Sequence, residues 1–220
     1  MLPLSAPIRF GSIRAGLPAA ARGQRVGLFG GSFNPAHFGH LNASRIALRR
    51  LGLDRVWWIV SPGNPLKADG RVDDFEARLK AAQAFARADH RIIVTGFEEG
   101  LPSRYTAATL AFVRCRYPLT QFVWLMGADN LSSFHRWMNW RAILQTVPVA
   151  VIDRPSCRLA ALSSQAARAY RGAYVEEARA GLLAGMPPPA WCFLTGPMSA
   201  ESSTRIRAHQ ADTLGRDRTE

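Results

Sequence analysis

The chain has 220 residues, 48% hydrophobic and 20% charged, enough for one full-sized core and ordinary for a globular protein. A net charge of +12 and a pI near 11.0 raise the question of nucleic-acid binding. Lys67 and Lys80 are the only lysines among 28 basic residues, however, and the arginines are scattered without a basic arm, so a nucleic-acid partner is not expected. No apolar run is long enough to span a membrane, and Cys115, Cys157 and Cys192, far apart with no C-x-x-C pair, support neither a disulfide framework nor a zinc site, which fits a reducing cytoplasm.

Residues 1–24 combine arginine, alanine and proline with no acid, and are expected to form a disordered extension. The body then alternates between apolar runs and helix-like stretches. Val26–Phe29 reads as a first strand and Ala36–Leu51 as a helix. Arg55–Val60 is a continuous apolar run suited to a buried parallel strand. Asp73–Ala88 carries Phe75, Leu79, Ala82 and Phe85 near helical spacing. Arg91–Thr95 is a strand, Thr106–Arg116 a helix and Gln121–Met126 a strand. A helix-rich segment covers Asn130–Gln145, followed by a strand at Val147–Ile152, a helix at Leu159–Tyr170, a strand at Trp191–Leu194 and a short helix at Ser202–His209.

Strands separated by helices predict an α/β fold, a Rossmann-like doubly wound parallel sheet covered on both faces. A single domain over residues 25–209 with a flexible tail at 210–220 is expected. Ligands of such sheets bind at the carboxyl ends of the strands. Each chemically suggestive motif here follows a strand, so the motifs converge on one rim.

The most informative motif is Gly30-Gly31-Ser32-Phe33-Asn34-Pro35-Ala36-His37-Phe38-Gly39-His40-Leu41. It is a strand end, a glycine turn and a helix start carrying two histidines. Glycines permit close approach of a nucleotide, and imidazoles at a positive helix end suit phosphate. A zinc pair is disfavoured because no third ligand lies nearby. Lys67 closes a Pro/Gly loop after the second strand. Met126-Gly127-Ala128-Asp129 follows the fourth, and Asp129 can accept ribose hydroxyls or cap a helix. Trp137 can pack in the core or stack on a flat ring. Ser103-Arg104-Tyr105-Thr106 opens a helix, and Ser202-Ser203-Thr204-Arg205-Ile206-Arg207 offers hydroxyls and a guanidinium.

The H-x-G-H pattern of His37 to His40, joined with S-S-T-x-I-R at Ser202 to Arg207, resembles the H-x-G-H nucleotidyltransferase superfamily. The P-x-x-P-x-K loop ending at Lys67, Arg78-Leu79 in the next helix, Y-T-x-x-T-L from Tyr105, G-x-D-x-L-x-x-F-x-x-W from Gly127 and the Asp153-Arg154-Pro155 strand end are similar to the bacterial nicotinate-nucleotide adenylyltransferase family. The resemblance spans residues 26–207. It implies adenylyl transfer from ATP to nicotinate mononucleotide, giving deamido-NAD and pyrophosphate. Catalytic roles would fall to His37, His40, Lys67 and Arg207. Gly30, Gly31, Ser32, Phe33, Asp129, Ser202 and Thr204 would meet ATP. Tyr105, Thr106, Trp137 and Arg154 would meet the mononucleotide. Mg²⁺ would arrive with ATP, with no metal site built into the protein. The family often has Asp at the position of Asn34, His at Leu66 and an apolar residue at Glu201. Other H-x-G-H adenylyltransferases, acting on nicotinamide mononucleotide or phosphopantetheine, are the nearest rivals. A basic nucleic-acid-binding protein that keeps the fold without catalysis is the rival from another class. A homo-oligomer is compatible with the sequence.

Overall fold

The computed structural model describes residues 16–63 and 74–196. Seven parallel strands form one sheet: β1 (Arg25–Gly31), β2 (Arg55–Val60), β3 (Ile92–Thr95), β4 (Gln121–Gly127), β5 (Val149–Ile152), β6 (Tyr174–Val175) and β7 (Trp191–Leu194), in the spatial order β3-β2-β1-β4-β5-β7-β6. The chain winds outward from β1 to β3, then returns to the other side of β1 and continues outward. The order reverses between β1 and β4, which is where a doubly wound sheet opens a crevice for a ligand.

Alternation along each strand sorts the core into two layers. Val26, Leu28, Trp57, Phe122, Trp124, Met126 and Val151 face one side. There they pack against α3 (Thr106–Arg116), α5 (Trp140–Thr146) and the short helices α6 (Arg158–Leu162) and α7 (Gln165–Ala169). Phe29, Trp58, Val60, Leu125 and Ile152 face the other side, against α1 (Phe38–Arg50) and α2 (Phe75–Ala86). Both faces are covered, which is why the strands read as unbroken apolar runs.

Several boundaries differ from expectation for local reasons. Strand β5 begins at Val149 rather than Val147, after Pro148, whose carbonyl accepts from Trp124 N at 2.9 Å. The helix expected over Leu159–Tyr170 divides at Ser163 and Ser164, because the Ser164 side chain caps α7 by accepting from Ala167 N at 3.2 Å. The segment expected to be helix-rich holds α4 (Ala128–Ser133) and a 3-10 turn before α5, and Asn139, with φ of 54°, separates that turn from α5. Strand β6 and the 3-10 run Glu177–Gly185 were not anticipated. The stretch expected to be an extension is tied to the body over its last residues: Tyr117 Oη donates to Pro18 O at 2.9 Å, Gly23 N to Leu119 O at 2.8 Å, and Leu17 and Ala20 pack on the core. Lys67, the segment expected to be helical over Ser202–His209 and the tail expected at 210–220 lie outside the described residues.

Candidate active site

Because all strands run the same way, every segment from strand to helix emerges at one rim. Strand β1 runs through Gly31, so Gly30 and Gly31 belong to the strand rather than the turn. At Gly30 a Cβ would sit 2.5 Å from Trp124 Cη2, so the indole packed against this position favours glycine there. The chain then bends sharply. Phe33 adopts a left-handed φ of 45°, and the Asn34–Pro35 bond is cis. The Phe33 ring turns inward and stacks on Trp58, with centroids 5.0 Å apart. Phe33 therefore has backbone, not its ring, to offer a nucleotide, while Ser32 stays partly exposed.

The bend delivers His37 to the N-cap of α1. Its Nδ1 accepts from Gly39 N at 3.1 Å, and His40 Nδ1 accepts from His37 N at 3.3 Å. The two imidazoles thus play the parts of a reciprocal capping box. A backbone N–H can only donate, so each Nδ1 carries no proton while its bond is made. A neutral imidazole held in this way has its proton on Nε2. The rings lie 3.9 Å apart, and both residues are buried. Burial first, then His37 and Arg154 nearby, hold the His40 pKa well below the ordinary histidine value, so at neutral pH His40 is an uncharged donor.

The ends of β4 and β5 supply the next pair. Arg154 Nε stands 3.4 Å from Asp129 Oδ1, and both side chains keep solvent contact. Gly127 lies beneath them: a Cβ there would collide with Asp129 Oδ1 and come within 2.9 Å of Arg154 Nε. Asp129 falls in the first turn of α4, whose cap is Gly127, so it does not serve as the N-cap. Asp153, which precedes Arg154 in the chain, is buried and bound by Arg158 Nε at 2.8 Å.

His37, His40, Arg154 and Asp129 are thus gathered at the β1/β4 switch. Tyr105 and Thr106 sit at the head of α3 on the same rim, with Tyr105 exposed. Trp137 is half-buried, with its ring edge-to-face against Phe134 at 5.3 Å. Lys67, Ser202, Thr204 and Arg207 lie outside the described residues. Among the described residues, no cluster of three or more His, Cys, Asp or Glu side chains could hold a metal ion.

Arg78, which the family resemblance includes without giving it a role, has a structural part near the site. Arg78 is buried, and its guanidinium donates to Ser32 O at 2.6 Å, Ser61 O at 2.9 Å and Pro62 O at 3.4 Å. The available signal was its position: Phe75, Arg78, Leu79 and Ala82 share the inward stripe of α2, and a charge there demands partners.

A family model for cytidylyltransferase-like proteins matches residues 28–209. A probable nicotinate-nucleotide adenylyltransferase of Methylorubrum extorquens is 57% identical over 183 residues, covering 83% of this chain and 98% of that relative. One from Agrobacterium fabrum is 53% identical, covering 83% and 97%. One from Ruegeria pomeroyi is 52% identical, covering 89% and 91%. Among solved structures, Plasmodium falciparum nicotinic acid mononucleotide adenylyltransferase complexed with NaAD aligns with a TM-score of 0.63 at 13% identity, over 84% of this chain and 83% of that one. That likeness concerns the fold.

Proposed function

The chain belongs to the nicotinate-nucleotide adenylyltransferase family, within the cytidylyltransferase-like proteins, and on that premise we propose how its residues divide the work. The reaction moves the adenylyl group of ATP to nicotinate mononucleotide, giving deamido-NAD and pyrophosphate, a step of NAD biosynthesis. No helix among the described residues is long and apolar enough to cross a membrane. We assign the reaction to the cytoplasm, in keeping with three cysteines that include no C-x-x-C pair.

The mononucleotide's 5′-phosphate is already an anionic nucleophile and needs no general base. Its oxygen attacks the α-phosphorus in line as the bond to pyrophosphate breaks. What the protein must supply is alignment and relief of negative charge. The observation that carries this reading is the capping-box pair of imidazoles at the head of α1. Their Nδ1 atoms are occupied by backbone N–H groups, so Nε2–H is what the neutral His40 has for a phosphate oxygen. His40 serves the transferred phosphoryl group, where charge builds most. A neutral donor in a buried site gains strength as that charge develops. His37 serves the neighbouring phosphates.

The backbone at Gly30, Gly31, Ser32 and Phe33 lines the ATP side. Lys67, Ser202, Thr204 and Arg207 are assigned to the triphosphate on their motif match alone. Asp129 accepts the adenosine ribose hydroxyls. Arg154, 3.4 Å from Asp129 Oδ1 and still in contact with solvent, meets the mononucleotide phosphate. Tyr105 and Thr106 receive the nicotinate carboxylate at the positive end of α3, and Trp137 offers its open face to the ring. Mg²⁺ enters as the ATP complex and belongs to the substrate.

The test is pyrophosphate release by purified protein with Mg-ATP and each mononucleotide. Release with nicotinate mononucleotide and much less with the amide is expected; release with neither refutes the reading. His40→Ala should lower kcat about a hundredfold or more; the protein should still fold, with a somewhat lower melting temperature because the cap on His37 N is lost. A near-normal rate would show that His40 does not serve the transferred group.

A further inference from the structure

The β1–β2 ladder ends with Ser61 N donating to Gly31 O at 2.9 Å. One step beyond it, the two chains part into the turns that line the rim. Arg78 sits at this fork. One terminal nitrogen donates both to Ser32 O of the first turn and to Ser61 O of the second, and the other donates to Pro62 O. Ser61 Oγ tightens the second turn further by donating to Gly63 O at 3.0 Å. The Phe75 ring lies under the guanidinium, 5.7 Å from centroid to Cζ.

We propose that Arg78 is a positioning residue for ATP, extending the sheet's register into the two turns and aiming their amides at the nucleotide. This rests on the adenylyltransferase reading. Carbonyl and amide point in opposite directions across a trans peptide. Drawing Ser32 O toward Arg78 therefore turns the Phe33 N–H the other way, and drawing Pro62 O turns the Gly63 N–H likewise. A planar guanidinium can hold acceptors from two chains in a fixed fork; a lysine ammonium is a point donor on a flexible stem and cannot hold that spacing. Arg78 touches no reacting atom. Its contribution is the distance between two backbone segments, and ATP contacts set by such a distance are sensitive to small displacements.

The experiment compares wild type, Arg78→Lys and Arg78→Met by steady-state kinetics in each substrate. It adds hydrogen exchange of wild type with and without a non-hydrolysable ATP analogue. The expected result is KM for ATP raised about tenfold or more in both variants, with KM for nicotinate mononucleotide changed by less than about threefold. The analogue should slow exchange at Phe33 and Gly63 together. Equal losses for both substrates, or an unchanged KM for ATP in folded Arg78→Lys, overturn the proposal. Should neither variant fold, the exchange data on wild type decide it: failure of the analogue to protect both amides overturns it. Wild-type turnover tests the functional reading separately, since the amides can be protected by the analogue whatever the second substrate is.

Discussion

Glu98 provides a quantitative test of the packing around α3. It lies in the 3-10 turn Phe97–Gly100, buried, and its Oε1 accepts from Thr109 Oγ1 at 2.6 Å. Burial pushes its pKa up from 4.5 to about 7, the Thr109 hydrogen bond opposing but not cancelling the shift. The folded protein therefore keeps this proton up to about pH 7, while the unfolded chain releases it near 4.5. Between those values the folded state binds more protons, so stability falls as pH rises through that window. At about 1.4 kcal/mol per pH unit the full penalty approaches roughly 3 kcal/mol, of which about 2–3 kcal/mol develops between pH 5 and pH 8. Glu98→Gln keeps an acceptor for Thr109 and removes the titration. Urea denaturation of both proteins across that range gives a difference curve from which all other groups cancel. The variant should gain on wild type by about 2–3 kcal/mol from pH 5 to pH 8. Parallel curves would show that Glu98 titrates near its ordinary value and that water reaches its carboxyl group.

Two further substitutions separate packing from ligand approach. Gly30→Ala should destabilise by about 1–3 kcal/mol, read as a lower melting temperature without nucleotide, because its Cβ would lie 2.5 Å from the buried Trp124 ring. Gly31→Ala, whose nearest contact is the Phe33 ring at 3.3 Å, should cost less; equal melting temperatures for the two variants would remove the packing argument. Beneath the histidines, Trp58 Nε1 donates to Ser44 Oγ at 2.7 Å, and Ser44 Oγ donates to His40 O at 2.9 Å. Ser44→Ala strands a buried indole N–H and should cost about 1–3 kcal/mol. Adding Trp58→Phe removes the stranded donor, so the double variant should lose less than the sum of the two single losses, and strict additivity in denaturation would refute the coupling.

The parts of this fold that were legible in the sequence are those governed by local chemistry. Arg55–Val60, Thr106–Arg116 and Trp191–Leu194 have the bounds that their apolar runs and helix-forming stretches predict, because both sheet faces are buried and nothing competes. The two-residue strand β6 escaped because its Tyr174 is exposed and its pairing with β7 is set by the sheet edge rather than by any pattern of its own. The histidine motif was legible because three-residue spacing at a helix start constrains both rings at once. The Asp129–Arg154 pair was less so, since its members leave different strands and meet only through the β4–β5 register, in which Gly127 pairs with Ile152.

The glycines show where sequence reasoning found the right residue for an incomplete reason. A glycine after a strand suggests room for a ligand, and nothing in the local sequence reveals that the room at Gly30 is already taken by Trp124 from the neighbouring strand. Arg78 inverts that case. Its place on an apolar helix stripe marks it as a buried charge, yet it holds the main-chain carbonyls of Ser32, Ser61 and Pro62, and main-chain atoms leave no mark on a sequence. Side-chain chemistry at this rim could be read from residue types. The spacing of the backbone that would carry ATP depends on contacts between segments, and only the folded chain displays them.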